Sequence, residues 1–109
     1  MKVEYGTAFA RQLKRLARRY RNIRQDIAPV IALLEGGETP GDQLKGLGRT
    51  LYKVRASNRD AQRGKSGGYR VIYDLTSDGR CMLVTIYSKG DQGDVSADMI
   101  RRLLAEAGE

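Results

Sequence analysis

The sequence predicts an α+β fold: a short N-terminal strand, an antiparallel helical hairpin, a three-stranded antiparallel sheet and a C-terminal helix. Three observations carry that reading. Apolar residues recur at helical spacing from Phe9 to Leu34, alternate with a period of two between about residues 50 and 87, and return to helical spacing after Ser96. The 109 residues suit one domain, 1–109, around one modest hydrophobic core.

The first strand is KVEY at 2–5, with Val3 and Tyr5 expected inward and Lys2 and Glu4 outward; Gly6 ends it. Thr7 is the expected N-cap of a helix whose Phe9, Leu13, Leu16 and Tyr20 fall on one stripe. Arg11, Lys14, Arg15 and Arg18 take the opposite face. From Arg11 to Arg24 there are seven basic residues and no acid, a surface for solvent on one reading and for RNA or a protein partner on the other.

Asn22 followed by Gln25 resembles a capping box opening a second helix. Its stripe is Ile23, Ile27, Val30 or Ile31, and Leu34, and Gly36-Gly37 stops it. Pro29 would clash with the Gln25 carbonyl in an unbroken helix, so either the helix kinks or its regular part begins near Asp26. The short link at 20–22 makes the two helices a hairpin. Residues 36–48, rich in glycine and holding Pro40, are expected to form a loop.

The sheet follows. Thr50–Ser57 places Tyr52, Val54 and Ala56 against Leu51, Lys53 and Arg55. Gly68–Thr76 places Tyr69, Val71, Tyr73 and Leu75 against Arg70, Ile72 and Asp74. Ser77-Asp78-Gly79-Arg80 is a turn signal, and Cys81–Tyr87 sets Met82, Val84 and Ile86 against Leu83, Thr85 and Tyr87. Burying several cations under helices is costly, so Lys53, Arg55 and Arg70 are expected to share an open face opposite the hairpin. A last helix starts at Ser96 and carries Met99, Ile100, Leu103 and Leu104, with Asp94 and Asp98 where the helix dipole favours acids.

Composition narrows the function. No apolar run approaches the roughly 20 residues of a membrane span. Met1 leads straight into an ordered-looking segment without a signal-peptide core, which makes the cytoplasm the expected compartment. Cys81 is the one cysteine, expected to pack in its strand rather than to react, and the chain has no histidine. No disulfide and no zinc cluster are therefore expected, and acid–base chemistry falls to lysine, arginine, tyrosine or carboxylates.

Net charge is +7, and the sequence pI is near 9.9. The positive charge is clustered: residues 45–73 carry eight bases (Lys45, Arg49, Lys53, Arg55, Arg59, Arg63, Lys65, Arg70) against Asp60, whereas residues 91–109 hold five acids and two bases. Such clustering favours a nucleic acid or the ribosome as partner. GKS at 64–66 is not a phosphate-binding loop of the Walker type, since Arg59 stands where glycine is needed and a strand follows instead of a helix. RGKSGG reads better as a cationic loop whose amides and Lys65 approach phosphates. Tyr87, at a strand end, is a candidate to stack on a base.

LKGL at 44–47, YKVRA at 52–56, GKSGGYRVIYD at 64–74 and TIYSK at 85–89, in this order of elements, resemble the RelE/ParE superfamily of type II toxins. The likeness runs over essentially the whole chain and is nearest to the RelE/HigB-like mRNA interferase branch. It implies a ribosome-dependent endoribonuclease that cuts mRNA in the A site without metal or cofactor. It also implies a cognate antitoxin that holds the toxin inactive, with DNA contacted only through that antitoxin and no membrane partner.

The family's second-strand basic pair falls on Lys53 and Arg55, and its GYR arginine on Arg70. The family's arginine after the last strand is replaced here by Lys89-Gly90, and its C-terminal tyrosine has no counterpart in the last helix. On these residues Lys53 is the expected base, made so by crowding among cations. Arg55 and Arg70 are the expected charge stabilisers, with Arg63, Lys65, Tyr87 and Lys89 as RNA contacts; the acid is unassigned. A DNA gyrase poison of the ParE kind and a non-catalytic RNA-binding relative are the alternatives.

Overall fold

The N-terminal strand is built into the sheet. The computed structural model describes residues 1–60 and 67–106. Its elements are β1 (Lys2–Tyr5), α1 (Thr7–Ala17), α2 (Ile23–Glu35), β2 (Asp42–Leu44), β3 (Leu51–Ala56), β4 (Tyr69–Leu75), β5 (Arg80–Ser88) and α3 (Ala97–Glu106). The strands form one sheet in the order β1-β5-β4-β3-β2. β1 runs parallel to β5, with Val3 beside Cys81, and the other pairings are antiparallel.

The class is α+β as the sequence predicts, but the three-stranded antiparallel sheet is corrected to a five-stranded mixed one among the described residues. A parallel pairing between chain-distant strands leaves no turn signal to read. β2 is only three residues long and lies in the glycine-rich stretch expected to be a loop. Gly41 permits it: the residue has φ +98°, and a Cβ there would stand 2.4 Å from the Lys53 carbonyl oxygen.

The starts of α1 and α2 depart from expectation, whereas α2 stops at Gly36-Gly37 as expected. Thr7 lies inside α1, and its N-cap is Gly6, which makes no side-chain cap. α2 runs unbroken through Pro29 rather than starting near Asp26. Asn22 does not cap α2 with its own side chain. Instead the Asp60 carboxylate accepts from the Asn22 backbone N–H (2.7 Å) and from Asn22 Nδ2 (2.9 Å). At the other end Gly37, at φ +90°, lets Glu38 N–H reach the Leu33 carbonyl (2.9 Å) and Gly37 N–H the Leu34 carbonyl (3.0 Å), a Schellman stop.

Both faces of the sheet are covered in part. One core joins Phe9, Leu13 and Tyr20, then Ile23, Ile27, Val30 and Leu34 of α2, to Val54, Ala56, Tyr69, Val71, Tyr73, Cys81, Leu83 and Ile86. A second joins Leu51, Ile72, Val84 and Tyr87 to Ile100, Leu103 and Leu104 of α3, with Ala8. The face expected to be open thus carries α3 over part of its area. Tyr5, expected inward, is 51% exposed and meets Phe9 edge-to-face with ring centroids 5.1 Å apart.

Strict alternation on β5 also fails at one place. Ile72 pairs with Thr85 but Tyr73 pairs with Leu83, so Val84 is an extra residue and a bulge. The apolar set facing α1 and α2 is therefore Cys81, Leu83 and Ile86 instead of Met82, Val84 and Ile86.

Candidate nucleic-acid interface

Strand register assembles the cationic side chains. Arg55 pairs with Arg70 across β3 and β4, and Arg70 pairs with Tyr87 across β4 and β5, so these three form one cross-strand row on one face. The next row is Lys53, Ile72 and Thr85. Lys53, Arg55 and Arg70 therefore share a face, the one whose Leu51, Ile72, Val84 and Tyr87 pack with α3.

Gly68 sets the start of β4. It has φ +84°, and a Cβ would stand 2.6 Å from the Ala56 carbonyl oxygen. The chain can turn into β4 this close to β3 only without a side chain. The Arg70 guanidinium then folds back on the turn, its Nη1 donating to the Gly67 carbonyl at 3.3 Å and the Tyr69 carbonyl at 3.4 Å. Arg55 is exposed and makes no ion pair among the described residues.

One carboxylate gathers the rest. Lys89 Nζ donates to Asp94 Oδ1 at 2.9 Å, and Lys53 Nζ and the Tyr87 hydroxyl each lie 3.5 Å from the same oxygen. The Lys89 hydrogen bond, together with the charges of Lys53 and Lys89, holds the Asp94 carboxyl below its ordinary range. Burial, then the Asp94 charge, pushes the Tyr87 phenol up, while Arg70 pulls it the other way. Tyr87 thus stays protonated at neutral pH.

The chain matches no protein-family model.

Four of the seven residues expected at the site, Lys53, Arg70, Tyr87 and Lys89, lie together around Asp94 or along the adjoining row. Arg55 joins the row from the solvent side. Arg63 and Lys65 lie outside the described residues.

Two expectations change. Tyr87 is buried in the second core, so its ring is not free to stack on a base; its hydroxyl is the part that reaches the site. Lys53, expected among cations, has the Asp94 carboxylate 3.5 Å from its Nζ.

Sequence reasoning missed Asp94 as a site residue, because it reads equally well as a helix-dipole acid. It also counted two arginines as surface that are committed elsewhere. Arg59 donates from Nε to Asp26 Oδ1 (2.6 Å) and from its backbone N–H to Asp26 Oδ2 (3.1 Å), and Asp26 is buried in the first turn of α2. Arg49 pairs with the buried Asp74. A buried acid on a strand or helix face was the available signal, since such an acid needs a cation.

On the other side of Tyr87, a cleft of about 250 Å3 opens between α1 and the segment after β5, lined in part by Arg15, Arg19, Ser88, Asp91 and Gln92. Arg19 pairs there with Asp91 at 2.9 Å, and the Tyr20 hydroxyl donates to the same carboxylate at 3.2 Å.

Proposed function

We propose that this chain is the toxin of a type II toxin–antitoxin pair, a ribosome-dependent endoribonuclease of the RelE/HigB-like kind that cuts mRNA in the A site. The observation carrying this reading is the cross-strand set of Lys53, Arg55, Arg70 and Tyr87, with Lys89 beside it, on one partly open sheet face. Of that set, Lys53, Arg55 and Arg70 are the residues to which the resemblance assigns the family's basic pair and GYR arginine. The finer likeness to the RelE arrangement, with its helical hairpin over an antiparallel sheet, belongs to the same proposal.

The chemistry needs no histidine. The RNA 2′-hydroxyl gives up its proton to solvent water as its oxygen attacks the adjacent phosphorus, the bond to the 5′ oxygen breaks, that oxygen takes a proton, and a 2′,3′-cyclic phosphate and a 5′-hydroxyl result. Arg70 and Arg55 can hold the phosphoryl oxygens, each with a planar fork that keeps its charge. Tyr87 holds a proton at neutral pH beside that row and is the candidate donor to the leaving 5′ oxygen. Lys53 and Lys89 add positive charge. Groups this weak at proton transfer gain most from a substrate already held in line, which suits cutting on the ribosome.

The experiment is cleavage of mRNA on programmed ribosomes by wild type, Arg70→Ala and Tyr87→Phe. Arg70→Ala should abolish cutting with the fold intact, and Tyr87→Phe should lower it by about 10²-fold, the usual loss for one acid or base. Wild-type cutting by a folded Arg70→Ala protein would sink the assignment. One observation favours a second reading, RNA binding without cleavage: Asp94 already neutralises both lysines. RNA affinity with no cut products on ribosomes would select it, and inhibited DNA supercoiling on induction would point to gyrase instead.

A further inference from the structure

Three of the acids that pair with this protein's basic blocks come from one stretch of chain, residues 91–106. Asp91 pairs with Arg19, Glu106 with Arg11, and Asp94 with Lys53 and Lys89. Of these three, Asp94 is the one that contacts cations of the face proposed to meet RNA. A single oxygen of its carboxylate takes the contacts of two ammonium groups and one phenol, which is the coordination a phosphoryl oxygen would receive there. The Asp94 side chain is 59% exposed and sits on the link between β5 and α3, outside both apolar clusters. It can therefore leave its seat without disturbing either core.

We propose that Lys53, Lys89 and Tyr87 form a phosphate seat with Asp94 as its built-in occupant, and that an RNA phosphodiester enters by displacing Asp94. The identity of the ligand rests on the reading above; the seat itself does not. An anion entering must compete with a tethered carboxylate, so small free anions are held off. A polyanion that also engages Arg55 and Arg70 has enough contacts to win. The released Asp94 leaves a negative charge near the bound strand, which offsets one phosphate contact.

The test compares wild type with Asp94→Asn, Asp94→Glu and Asp98→Asn. Asp98 is an acid on α3 paired with Arg101 at 3.1 Å, so its substitution changes net charge equally but frees no cation of the seat. The probes are inorganic pyrophosphate, followed by NMR signals of residues 52–54 and 87–90, and a single-stranded 2′-O-methyl RNA that cannot be cut, followed by anisotropy.

Asp94→Asn should bind both probes about fivefold more tightly than wild type, as expected when a competing exposed ion pair is removed. Its RNA binding should also fall with salt more steeply, by about 0.7 in the log–log slope, the share of one phosphate contact on a single strand. Asp98→Asn and Asp94→Glu should stay close to wild type. If Asp94→Asn gains no more pyrophosphate affinity than Asp98→Asn, the proposal is overturned. If the pyrophosphate gain appears but no variant binds RNA, the seat is upheld and the RNA reading fails.

Discussion

Replacing Asp60 with alanine decides what caps α2. The Asp60 carboxylate takes the Asn22 backbone N–H at 2.7 Å and Asn22 Nδ2 at 2.9 Å, directly at the helix start. Its removal deletes two charge-assisted hydrogen bonds and a negative charge at the positive end of the helix. A lost cap costs about 0.5–2 kcal/mol, and a charge at a helix end about 0.3–1; the two overlap here, giving about 1.5 kcal/mol. In a domain near this size that lowers Tm by about 6–12 °C.

Asn22→Ala removes only the Nδ2 bond and leaves the backbone bond to Asp60, so it should cost less than half as much. Thermal and urea unfolding of both single variants and the double variant measure this directly. In the double variant the Asn22 change should add nearly nothing, because its partner is gone. An Asn22→Ala cost equal to or above that of Asp60→Ala would refute the assignment and restore Asn22 as the cap. The effect also reaches the proposed function: Asp60 and the Asp26–Arg59 pair fix the chain at residues 59–60, just before the expected RNA contacts Arg63 and Lys65 in the sequence, so Asp60→Ala should weaken RNA binding as well as stability.

Gly68→Ala and Gly79→Ala form a matched pair, both at positive φ, +84° and +85°. Nothing lies within 4 Å of a Cβ at Gly79, so that change should cost only the left-handed strain of about 1–2 kcal/mol in urea unfolding. Gly68→Ala meets the Ala56 carbonyl as well; it should cost clearly more, and equal costs would refute the steric claim. Cys81 is buried, and desolvation pushes its thiol up to about 11, so a thiol reagent at pH 8 should label it only as fast as the protein unfolds. Labelling at the rate of a free thiol would contradict this. Arg11, by hydrogen bond and charge, holds the Glu106 carboxyl below its ordinary 4.5. The contact therefore holds α3 to α1 above that pH and is lost as pH falls through the lower folded value. Hydrogen exchange in residues 97–106 should speed up at pH 3 relative to pH 6 after correction for intrinsic rates, and Arg11→Gln should produce the same change at pH 6.

The sequence made the helical stripes legible because each apolar position needs only a local period. Phe9, Leu13 and Tyr20, then Ile23, Ile27 and Leu34, are buried where that period puts them. β3 and β4 were legible for the same reason, and with them the shared face of Lys53, Arg55 and Arg70. What stayed hidden was non-local. The pairing of β1 with β5, the Asp60 cap and the Asp26–Arg59 and Asp74–Arg49 pairs all join residues far apart in the chain, and no spacing announces them. Asp94 was visible as an acid five residues after Lys89, but its role depends on where a loop ends, which a one-dimensional pattern does not encode.

The bulge at Val84 explains why a tyrosine belongs to this face at all. Strict alternation along β5 would place Leu83 and Tyr87 together, and with Leu83 in the α1/α2 core the phenol would follow it there. The extra residue resets the parity, so Ile86 continues that core and Tyr87 turns to the opposite side, beside Arg70. Val84 itself, on the side opposite Leu83, lies under α3 with Ile72 and Leu103. One inserted residue therefore both floors the second core and delivers a protonated hydroxyl to the cationic row. The row of Arg55, Arg70 and Tyr87 is consequently built on the sheet itself. α3 and the Asp94 link are docked onto that finished surface, which is why an occupant can leave the phosphate seat while the row of Arg55, Arg70 and Tyr87 keeps its geometry.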